Sequence, residues 1–205
     1  LFEELSGGRI YHMYIVPGGV RGELPDGYAE TVEKVLKQVE KVLSDVELVL
    51  FNNAVFKARA KKLGVITRDM IDYYGITGPN ARAAGFARDI RKYQPYLVYD
   101  ELDFDVATAE SSDAYNRSWV RFREMYQSVS LIRQIIRRIP DEGELSAKLP
   151  NMLRWEIEPG QTYRRAECTR GEYGYYVVSD GGRYPRRVYV RGPSYTHALD
   201  RKSVV

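Results

Sequence analysis

The sequence predicts an α+β fold that is mainly helical, with long helices packed as a bundle and a small antiparallel β-hairpin region near the C-terminal end. In two long stretches, 32–50 and 115–139, apolar residues recur three and four positions apart, which is the spacing of one helix face. A later stretch, 173–191, holds two runs rich in tyrosine and valine around a glycine-containing turn, which is typical of a β-hairpin. We therefore expect residues 1–150 to form a helical body and residues 151–205 a small β-hairpin region of the same domain.

The first long helix is predicted to follow a turn-rich connector at residues 17–28. Valines and leucines form its apolar stripe, and lysines and glutamates occupy the other faces. Ser44 and Asp45 are both good N-cap residues, so we expect them to divide this stretch into two helices. Farther on, a helix is predicted to end at Gly64, and Thr67 is predicted to cap a short helix.

The region between the two long stretches is predicted to be a loop followed by a short strand. Residues 75–96 contain three glycines and two prolines among charged residues, which indicates an ordered loop with one helical turn after Pro79. Residues 99–106 have the pattern of a short strand. The longest helix is then predicted to start at 111–113 and to end at Pro140.

Four acidic side chains in this predicted strand form a candidate cluster: Asp100, Glu101, Asp103 and Asp105. On a strand, Asp103 and Asp105 would point to the same face and could hold a hard cation. Pairing with nearby basic side chains is the commoner fate of such carboxylates, and we favour it. The basic residues available in the preceding loop are Arg82, Arg88, Arg91 and Lys92.

Composition excludes several classes of protein. The 31 basic and 28 acidic residues leave a net charge of +3, which is too small to indicate a nucleic-acid partner. No apolar run approaches the roughly 20 residues of a membrane-spanning helix. The single cysteine, Cys168, excludes a disulfide framework, and neither it nor His12 and His197 show the spacing of metal ligands or of a catalytic set.

Residues 161–195 hold seven tyrosines and seven arginines. Interleaved aromatic and cationic side chains on strands can stack with single-stranded nucleic acid and neutralise it. Arginines also protect an edge hairpin from unwanted strand pairing, and three acidic residues dilute the patch, so we favour the structural interpretation. Pro185 favours an edge position or a strand start for the second run of the hairpin.

Three separate segments, residues 1–24, 75–106 and 163–192, resemble the D-subunit family of NADH-quinone oxidoreductases, and the helix at 115–136 matches the long helix of that family. These proteins are core subunits of respiratory complex I and relatives of the nickel–iron hydrogenase large subunits. The resemblance implies a mainly helical fold with small β elements. It also implies a core peripheral-arm subunit that forms part of the quinone-reduction cavity, next to the subunit with the terminal iron–sulfur cluster, in a complex that couples electron transfer to ion translocation.

The resemblance further implies an oxidoreductase subunit that is inactive as an isolated chain and binds no cofactor alone. Quinone would occupy a site shared with other subunits, and the iron–sulfur cluster would belong to a partner subunit. The implied partners are the iron–sulfur subunit, other peripheral-arm subunits and membrane-arm subunits, at the cytoplasmic side of the cell membrane. The chain starts without methionine and its ends are not turn-rich, so we interpret it as an internal segment without the flanking N- and C-terminal family segments.

The resemblance also provides candidate site residues. The family's Gly–Pro–x–x–Arg turn and its Asp–x–Arg–Lys run both fall within residues 75–96, and a third motif falls on 167–171, where Cys168-Thr169 replaces the usual Ala–Pro. The residues implied to line the quinone cavity or a subunit interface are Gly78, Pro79, Arg82, Asp89, Arg91, Lys92, Glu167 and Arg170. No catalytic or metal-binding residue is assigned to this chain.

The role of Arg82 stays open at the level of sequence. The tight Gly78-Pro79 turn would aim its guanidinium as a rigid bidentate donor. Arg82 would then pair with a carboxylate across a subunit boundary or place positive potential near a reducing cluster. Alternatively, it would pair within the chain with Asp103 or Asp105.

Two other functions also remain open. The first is the large subunit of a membrane-bound nickel–iron hydrogenase, whose metal-binding cysteines would lie outside this sequence. The second is a non-catalytic adaptor that keeps the fold without the chemistry. The SDGG turn and the RGPSYTHA sequence near the end of the chain look closer to the quinone-reducing subunits than to the hydrogenases.

Overall fold

The structure is a computed structural model that describes residues 1–140, 143–151 and 154–200. Parts of the predicted loop and of the predicted hairpin region, residues 141–142, 152–153 and 201–205, lie outside the described residues. Within the described part, helices and two small antiparallel sheets confirm the α+β class. The helices are α1 (Phe2–Ser6), α2 (Tyr28–Val46), α3 (Ala54–Ala60), α4 (Arg68–Tyr74), α5 (Pro79–Ala83), α6 (Ile90–Tyr93), α7 (Ala114–Ile136) and α8 (Pro193–Asp200). The strands are β1 (Ile15–Val16), β2 (Gly19–Val20), β3 (Gly160–Cys168), β4 (Gly171–Ser179) and β5 (Arg187–Arg191).

The two long helices, α2 and α7, share a hydrophobic core. Its buried members are Val32, Leu36, Leu43, Phe51, Phe122 and Val129. The Phe122 ring lies 4.6 Å from the ring of Phe51 and 5.3 Å from that of Tyr126, centroid to centroid. Because large aromatic side chains bury the most apolar area per residue, these rings provide much of the contact between the helices.

The predicted break at Ser44 and Asp45 is wrong, because α2 continues to Val46. Leu43 is buried and Val46 packs against the same core, so continuing the helix keeps both side chains in contact with α7, which outweighs the preference of Ser and Asp for caps. A π-helical turn at Glu47–Phe51 follows, closed by the hydrogen bond from Asn52 N to Glu47 O at 3.0 Å. This wider turn brings Phe51 into the core.

The predicted helix starts at Thr67 and Asp113 are confirmed. Thr67 Oγ1 accepts a hydrogen bond from Met70 N at 3.3 Å at the start of α4. Asp113 Oδ1 accepts one from Asn116 N at 2.8 Å at the start of α7. Each side chain satisfies a backbone N–H that the first turn of a helix leaves without a partner.

The predicted strand at 99–106 is wrong. The structure has a 3₁₀ turn at Tyr99–Glu101 followed by irregular chain. Leu102 and Phe104 are buried against Leu131 of α7, so the alternation in the sequence reflects contact with a helix rather than strand pairing. The Gln134 side chain replaces a strand partner, since it accepts from Asp103 N at 2.8 Å and donates to Asp103 O at 2.7 Å.

The predicted hairpin is confirmed as β4–β5, and β3, which was not predicted as a strand, extends it to a three-stranded antiparallel sheet of order β3–β4–β5. As Pro185 predicted, β5 is an edge strand. The inner end of the sheet contacts the helical part of the chain: Arg165 of β3 donates to Gln94 Oε1 at 2.8 Å, and Thr77 Oγ1 accepts from Glu172 N of β4 at 3.0 Å.

None of the helices in the described ranges is both long enough and apolar enough to cross a lipid bilayer.

An arginine on the surface of α7 joins it to α2. Arg133 Nε lies 3.0 Å from Glu33 Oε2, and its Nη2 lies 2.8 Å from Glu40 Oε2. The hydrogen bonds from Arg133 hold the pKa of both glutamates below the ordinary value.

A carboxylate whose pKa is lowered in the folded state stabilises the fold above its unfolded-state pKa of about 4.3, and loses that effect as the pH falls through the lower folded value. We therefore expect Arg133→Gln to lower the Tm near neutral pH, and the difference from wild type to shrink below about pH 4. Arg137→Gln is the control, because Arg137 is exposed in the following turn and forms no ion pair with any described residue. Calorimetry at the two pH values measures this, and an Arg133→Gln deficit that does not shrink in acid would contradict it.

Candidate functional site

The loop that carries most of the candidate residues is shaped by glycine and proline. Helix α4 ends at Gly75 in the left-handed conformation, and Gly78 follows with φ 70° and ψ −150°, a combination open to glycine alone. Pro79 then begins α5, so the predicted helical turn after Pro79 is confirmed. The bond from Arg82 N to Gly78 O at 2.9 Å closes that turn and directs Arg82 inward.

The same loop meets the β3–β4 turn backbone against backbone. A Cβ atom at Gly78 would lie 2.4 Å from Gly171 Cα and 2.6 Å from Arg170 O. A Cβ atom at Gly171, whose φ is +127°, would lie 2.7 Å from Thr77 Oγ1. Both positions therefore require glycine, which explains why the two family motifs meet here.

Arg82 is the centre of the site and is only 1% exposed. Its Nε donates to Glu124 Oε1 of α7 at 2.7 Å, and its Nη1 donates to Glu167 Oε1 of β3 at 2.8 Å. The same Nη1 lies 3.7 Å from Asp89 Oδ2. Three carboxylates from three separate parts of the chain thus surround one buried guanidinium.

Arg91 completes this group. Asp89 caps α6 by accepting from Arg91 N at 3.0 Å, and the Arg91 side chain returns to Asp89 Oδ2 through its Nη2 at 2.7 Å. The guanidinium of Arg91 lies 5.1 Å from the centroid of the Phe104 ring. We call the set Arg82, Asp89, Arg91, Glu124 and Glu167 the Arg82 cluster.

Burial and charge act in opposite directions within the Arg82 cluster. Burial disfavours the charged form of Arg82, but Glu124 and Glu167 outweigh it and raise the pKa of Arg82. Burial would also raise the pKa of Asp89, but hydrogen bonds from Arg91 lower it below the ordinary value. For Glu167 burial prevails, and its pKa is raised although Arg82 opposes this. Glu167 is therefore the member closest to accepting a proton.

The structure brings six of the eight candidate residues together: Gly78, Pro79, Arg82, Asp89, Arg91 and Glu167. Lys92 forms no ion pair with these residues and is exposed, with its Nζ 4.4 Å from the centroid of the Phe104 ring that Arg91 also contacts. Arg170 is also exposed, and its Nη1 lies 3.3 Å from Ser194 Oγ. The sequence motifs therefore combine a buried set with two outward-facing cations.

Neither Asp103 nor Asp105 pairs with Arg82, so the within-chain partners expected from sequence are wrong. Within the described ranges, the two aspartates form no ion pair at all. The favoured pairing of the 100–105 cluster with the loop cations is wrong as well, because Arg82 and Arg91 bind the carboxylates of their own cluster and Arg88 pairs with Asp72 at 3.8 Å. The physical reason is the irregular chain at 102–106, which points its aspartates to solvent while Leu102 and Phe104 are buried.

Two site residues were missed by reasoning from sequence, Glu124 and Glu172. Glu124 is the only acidic residue of α7, which also carries four arginines, and this contrast could have identified it. Glu172 stands directly opposite Glu167 in the register of β3 and β4. It accepts from Tyr163 at 2.7 Å and from Arg165 at 3.2 Å, and burial together with Glu172 raises the pKa of Tyr163 to about 12.

Among the described residues, no group of three or more His, Cys, Asp or Glu side chains is placed to hold a metal ion. Cys168 is a half-buried free thiol at the end of β3. The site is therefore an ion-pair network that can fix separate elements of the chain in place.

The glycine contact predicts a large effect of a single methyl group. We expect Gly171→Ala to destabilise the protein by about 3 kcal/mol or more, because the added Cβ meets backbone atoms and the positive φ is strained. Gly182→Ala is the control, since a Cβ there meets nothing within 4 Å, and its effect is expected to stay within about 0.5 kcal/mol. Denaturant unfolding of both variants measures this, and equal stabilities would disprove the close approach.

Replacing Arg82, the central cation, is expected to cause a loss of stability that depends on pH. Arg82→Met leaves buried carboxylates without compensation and is expected to cost about 3–5 kcal/mol near neutral pH. The uncompensated Glu167 then has a folded pKa still farther above its unfolded value. The loss is therefore smallest below that unfolded value and grows as the pH rises through the folded pKa. Arg88→Met removes the exposed ion pair with Asp72 and is the control. It is expected to lower the free energy of unfolding by about 0–1 kcal/mol, in acid as well as near neutral pH. A pH-independent loss in Arg82→Met would count against the role of Arg82 as the compensating charge.

Comparison with known proteins identifies the family. The chain matches the family model of the respiratory-chain NADH dehydrogenase 49 kDa subunit over residues 1–156 and 150–205. It is 42% identical over 197 residues to the NADH-quinone oxidoreductase D-subunit of Thermosipho melanesiensis, with 95% of this chain and 53% of that protein covered. The corresponding protein of Rickettsia felis is 34% identical over 218 residues, with 96% of this chain and 56% of that protein covered. The chain thus spans about half the length of these curated relatives.

Among solved structures, a chain of the membrane-bound sulfane sulfur reductase, an archaeal respiratory membrane complex, has the same fold. The TM-score is 0.91 and the sequence identity 38%, with 99% of this chain and 56% of that chain covered. The matched regions include the Gly78 loop, α7 and the β3–β4 turn, and so take in every residue of the Arg82 cluster. The chain therefore belongs to the family of the 49 kDa subunits of respiratory-chain NADH dehydrogenases, as its sequence motifs implied.

Proposed function

We propose that this chain is part of a D-type core subunit of a complex I-like oxidoreductase, in which electrons pass to quinone and the reduction is coupled to ion translocation. The observation that carries this proposal is the 42% identity to an NADH-quinone oxidoreductase D-subunit over 95% of the chain. The proposed location is peripheral, at the cytoplasmic side of the cell membrane. The isolated chain is expected to have no activity.

In this proposal the Arg82 cluster acts as a positioning device rather than as a group that touches substrate. Arg82 is 1% exposed, and its Nε and Nη1 atoms already donate to atoms of this chain. Its positive charge is compensated by Glu124, Glu167 and Asp89, so it projects little positive potential outward. These contacts favour pairing of Arg82 within the chain. They speak against pairing across a subunit boundary and against a role in placing positive potential near a reducing cluster.

The outward-facing members of the motifs are the better candidates for contact with a quinone cavity or a partner subunit. Lys92 extends from α6 and Arg170 from the β3–β4 turn, and both side chains are exposed. Glu167 lies at the end of β3, three residues before Arg170, and binds Arg82. Asp89 caps α6, the helix that carries Lys92. The buried cluster therefore fixes the two elements from which these cations extend.

The proposed cofactors belong to the assembly. Within the described part of the chain, no set of cysteines or histidines has the arrangement that ligates an iron–sulfur cluster. As the family resemblance implies, the iron–sulfur cluster is assigned to the partner iron–sulfur subunit, and quinone to a site shared with other subunits. The proposed partners are that subunit, other peripheral-arm subunits and the membrane-arm subunits.

A second candidate function is favoured by one observation. The chain of the sulfane sulfur reductase complex shares 38% identity and a TM-score of 0.91 with this chain. The same scaffold is therefore compatible with an acceptor other than quinone. A functional test of the complex that contains this chain must therefore offer a sulfur acceptor as well as a quinone.

The test uses the native complex that contains this chain, isolated from membranes. With NADH, and in parallel with reduced ferredoxin, as donor, we expect reduction of a short-chain ubiquinone analogue, and iron without nickel in elemental analysis. Arg170→Gln is expected to lower the rate severalfold with unchanged assembly, whereas Arg183→Gln, an exposed arginine in the β4–β5 turn, leaves it unchanged.

The alternatives give different results. Reduction of polysulfide without reduction of quinone would move the assignment to the sulfane sulfur reductases. Stoichiometric nickel would indicate a hydrogenase. A stable complex that transfers no electrons from either donor to either acceptor would support a non-catalytic adaptor.

A further inference from the structure

One face of the β3–β4–β5 sheet is more apolar than a solvent-exposed sheet face usually is. In the strand register, Arg164, Tyr175 and Val190 stand side by side, and so do Thr162, Val177 and Val188. Residues directly opposite one another in neighbouring strands share a face, and Tyr173 lies two positions from Tyr175 on the same side. We call this set the outer sheet face; it consists of Thr162, Arg164, Tyr173, Tyr175, Val177, Val188 and Val190.

The outer sheet face is open in the described chain. Four of its apolar side chains retain a third to a half of their full exposure: Tyr173 36%, Tyr175 46%, Val188 50% and Val190 46%. On the opposite face, Glu167 and Glu172 at the inner end of the sheet point to the helices and are largely buried, whereas Arg187 and Tyr189 of β5 are exposed. Where its other face is packed, as at the inner end, an antiparallel sheet normally has a polar second face, so the apolar outer sheet face indicates a surface that further protein covers.

The composition of this region is that of a protein interface. Residues 154–191 contain eight arginines and six tyrosines but no lysine. Tyrosine and arginine are enriched at protein–protein interfaces and dominate their binding energy, whereas lysine is depleted. The phenol groups of Tyr173 and Tyr175 lie 3.1 Å apart and hold the two rings edge to face, which presents a rigid aromatic pair.

Charge identifies the chemistry of the partner. Arg164 is exposed, and within the described residues it forms no ion pair or side-chain hydrogen bond. The outer sheet face carries no carboxylate that could compensate it. A complementary surface must therefore present an acidic group beside apolar side chains.

Two other occupants fit less well. A second copy of this chain would bring another Arg164 and no carboxylate, since a two-fold contact pairs a surface with itself. An anionic membrane surface is held by clusters of roughly 4–8 basic residues, whereas this face has one.

We propose that the outer sheet face is a docking surface for a partner protein whose contact surface is apolar and carries a carboxylate that pairs with Arg164. This rests on the proposed assembly of the chain into a multi-subunit complex. The patch is a compact centre of Tyr173, Tyr175 and the two valines of β5, with Arg164 at the β3 edge.

The first experiment converts the proposed ion pair into a covalent bond in the native complex. Arg164→Lys keeps the charge and supplies an amine, which a water-soluble carbodiimide joins to a carboxylate in direct contact by forming an amide with loss of water to the reagent. Residues 154–191 contain no natural lysine, so a cross-link through an amine of this region reports the introduced lysine alone. Cross-links through the carboxylates of this region also form in the wild type, which serves as the reference for them. Arg187→Lys is the matched control, because Arg187 is exposed on the opposite face of β5.

The second experiment tests the apolar part of the face. Val190→Glu places a carboxylate on the outer sheet face, and Tyr189→Glu places one at the neighbouring exposed position of β5, on the opposite face. We expect Val190→Glu to lower the fraction of the chain that co-purifies with the complex by about tenfold or more, as for the loss of one interface hot spot. Tyr189→Glu is expected to assemble as the wild type does.

Support requires a cross-link from Arg164→Lys to an Asp or Glu of a different polypeptide, none from Arg187→Lys, and the assembly defect of Val190→Glu alone. A cross-link to another copy of this chain or within the same polypeptide overturns the proposal, as does normal assembly of Val190→Glu. Loss of membrane attachment without loss of any partner protein identifies lipid as the occupant and equally overturns it. If the wild-type chain is found in no complex at all, the proposed function itself fails, which separates the two conclusions.

Discussion

The arrangement of the chain depends on the compensation of one buried positive charge. Arg82 is almost completely enclosed, and Glu124, Glu167 and Asp89 reach it from α7, from β3 and from the start of α6. A buried charge without a partner costs several kcal/mol, so these elements must meet at one place and in one orientation. The backbone contact of Gly78 with Gly171 acts at the same junction, since it lets the loop and the β3–β4 turn approach closely enough for Glu167 to reach Arg82.

In this arrangement, the residues that hold the elements in place differ from the residues that face outward. The carboxylates and arginines of the Arg82 cluster are buried and bind one another, whereas Lys92 and Arg170 of the same motifs face outward. A family motif can therefore contain residues that never touch a ligand yet fix the elements from which others do. Burial raises the pKa of Glu167, although Arg82 opposes this.

Sequence reasoning succeeded where a pattern is local. The stripe that begins after Asp113 and the alternation around the SDGG turn predicted α7 and the β4–β5 hairpin, because side-chain periodicity follows from backbone geometry. It failed where distant contacts decide. Leu102 and Phe104 alternate as in a strand but pack on α7. The two carboxylates that accept hydrogen bonds from Arg82 lie 42 and 85 positions away, a distance that no local pattern encodes. The motif nominated Arg82, but only the fold identified Glu124.

The π-helical turn at Glu47–Phe51 has a consequence for insertions and deletions. An α-helix advances by about 100° per residue, and a π turn takes up one residue more than an α turn, so it shifts the phase of everything that follows. Phe51 reaches the rings of Phe122 and Trp119 because of this shift. Removing one residue from the turn would restore an uninterrupted α-helix and leave Phe51 on the same side, because the π turn already takes up that extra residue. Inserting a further residue would rotate Phe51 by about 100° away from the core, whereas exchanging the exposed Leu48 or Val49 for another side chain leaves the phase intact. At this point the chain tolerates a one-residue deletion better than a one-residue insertion.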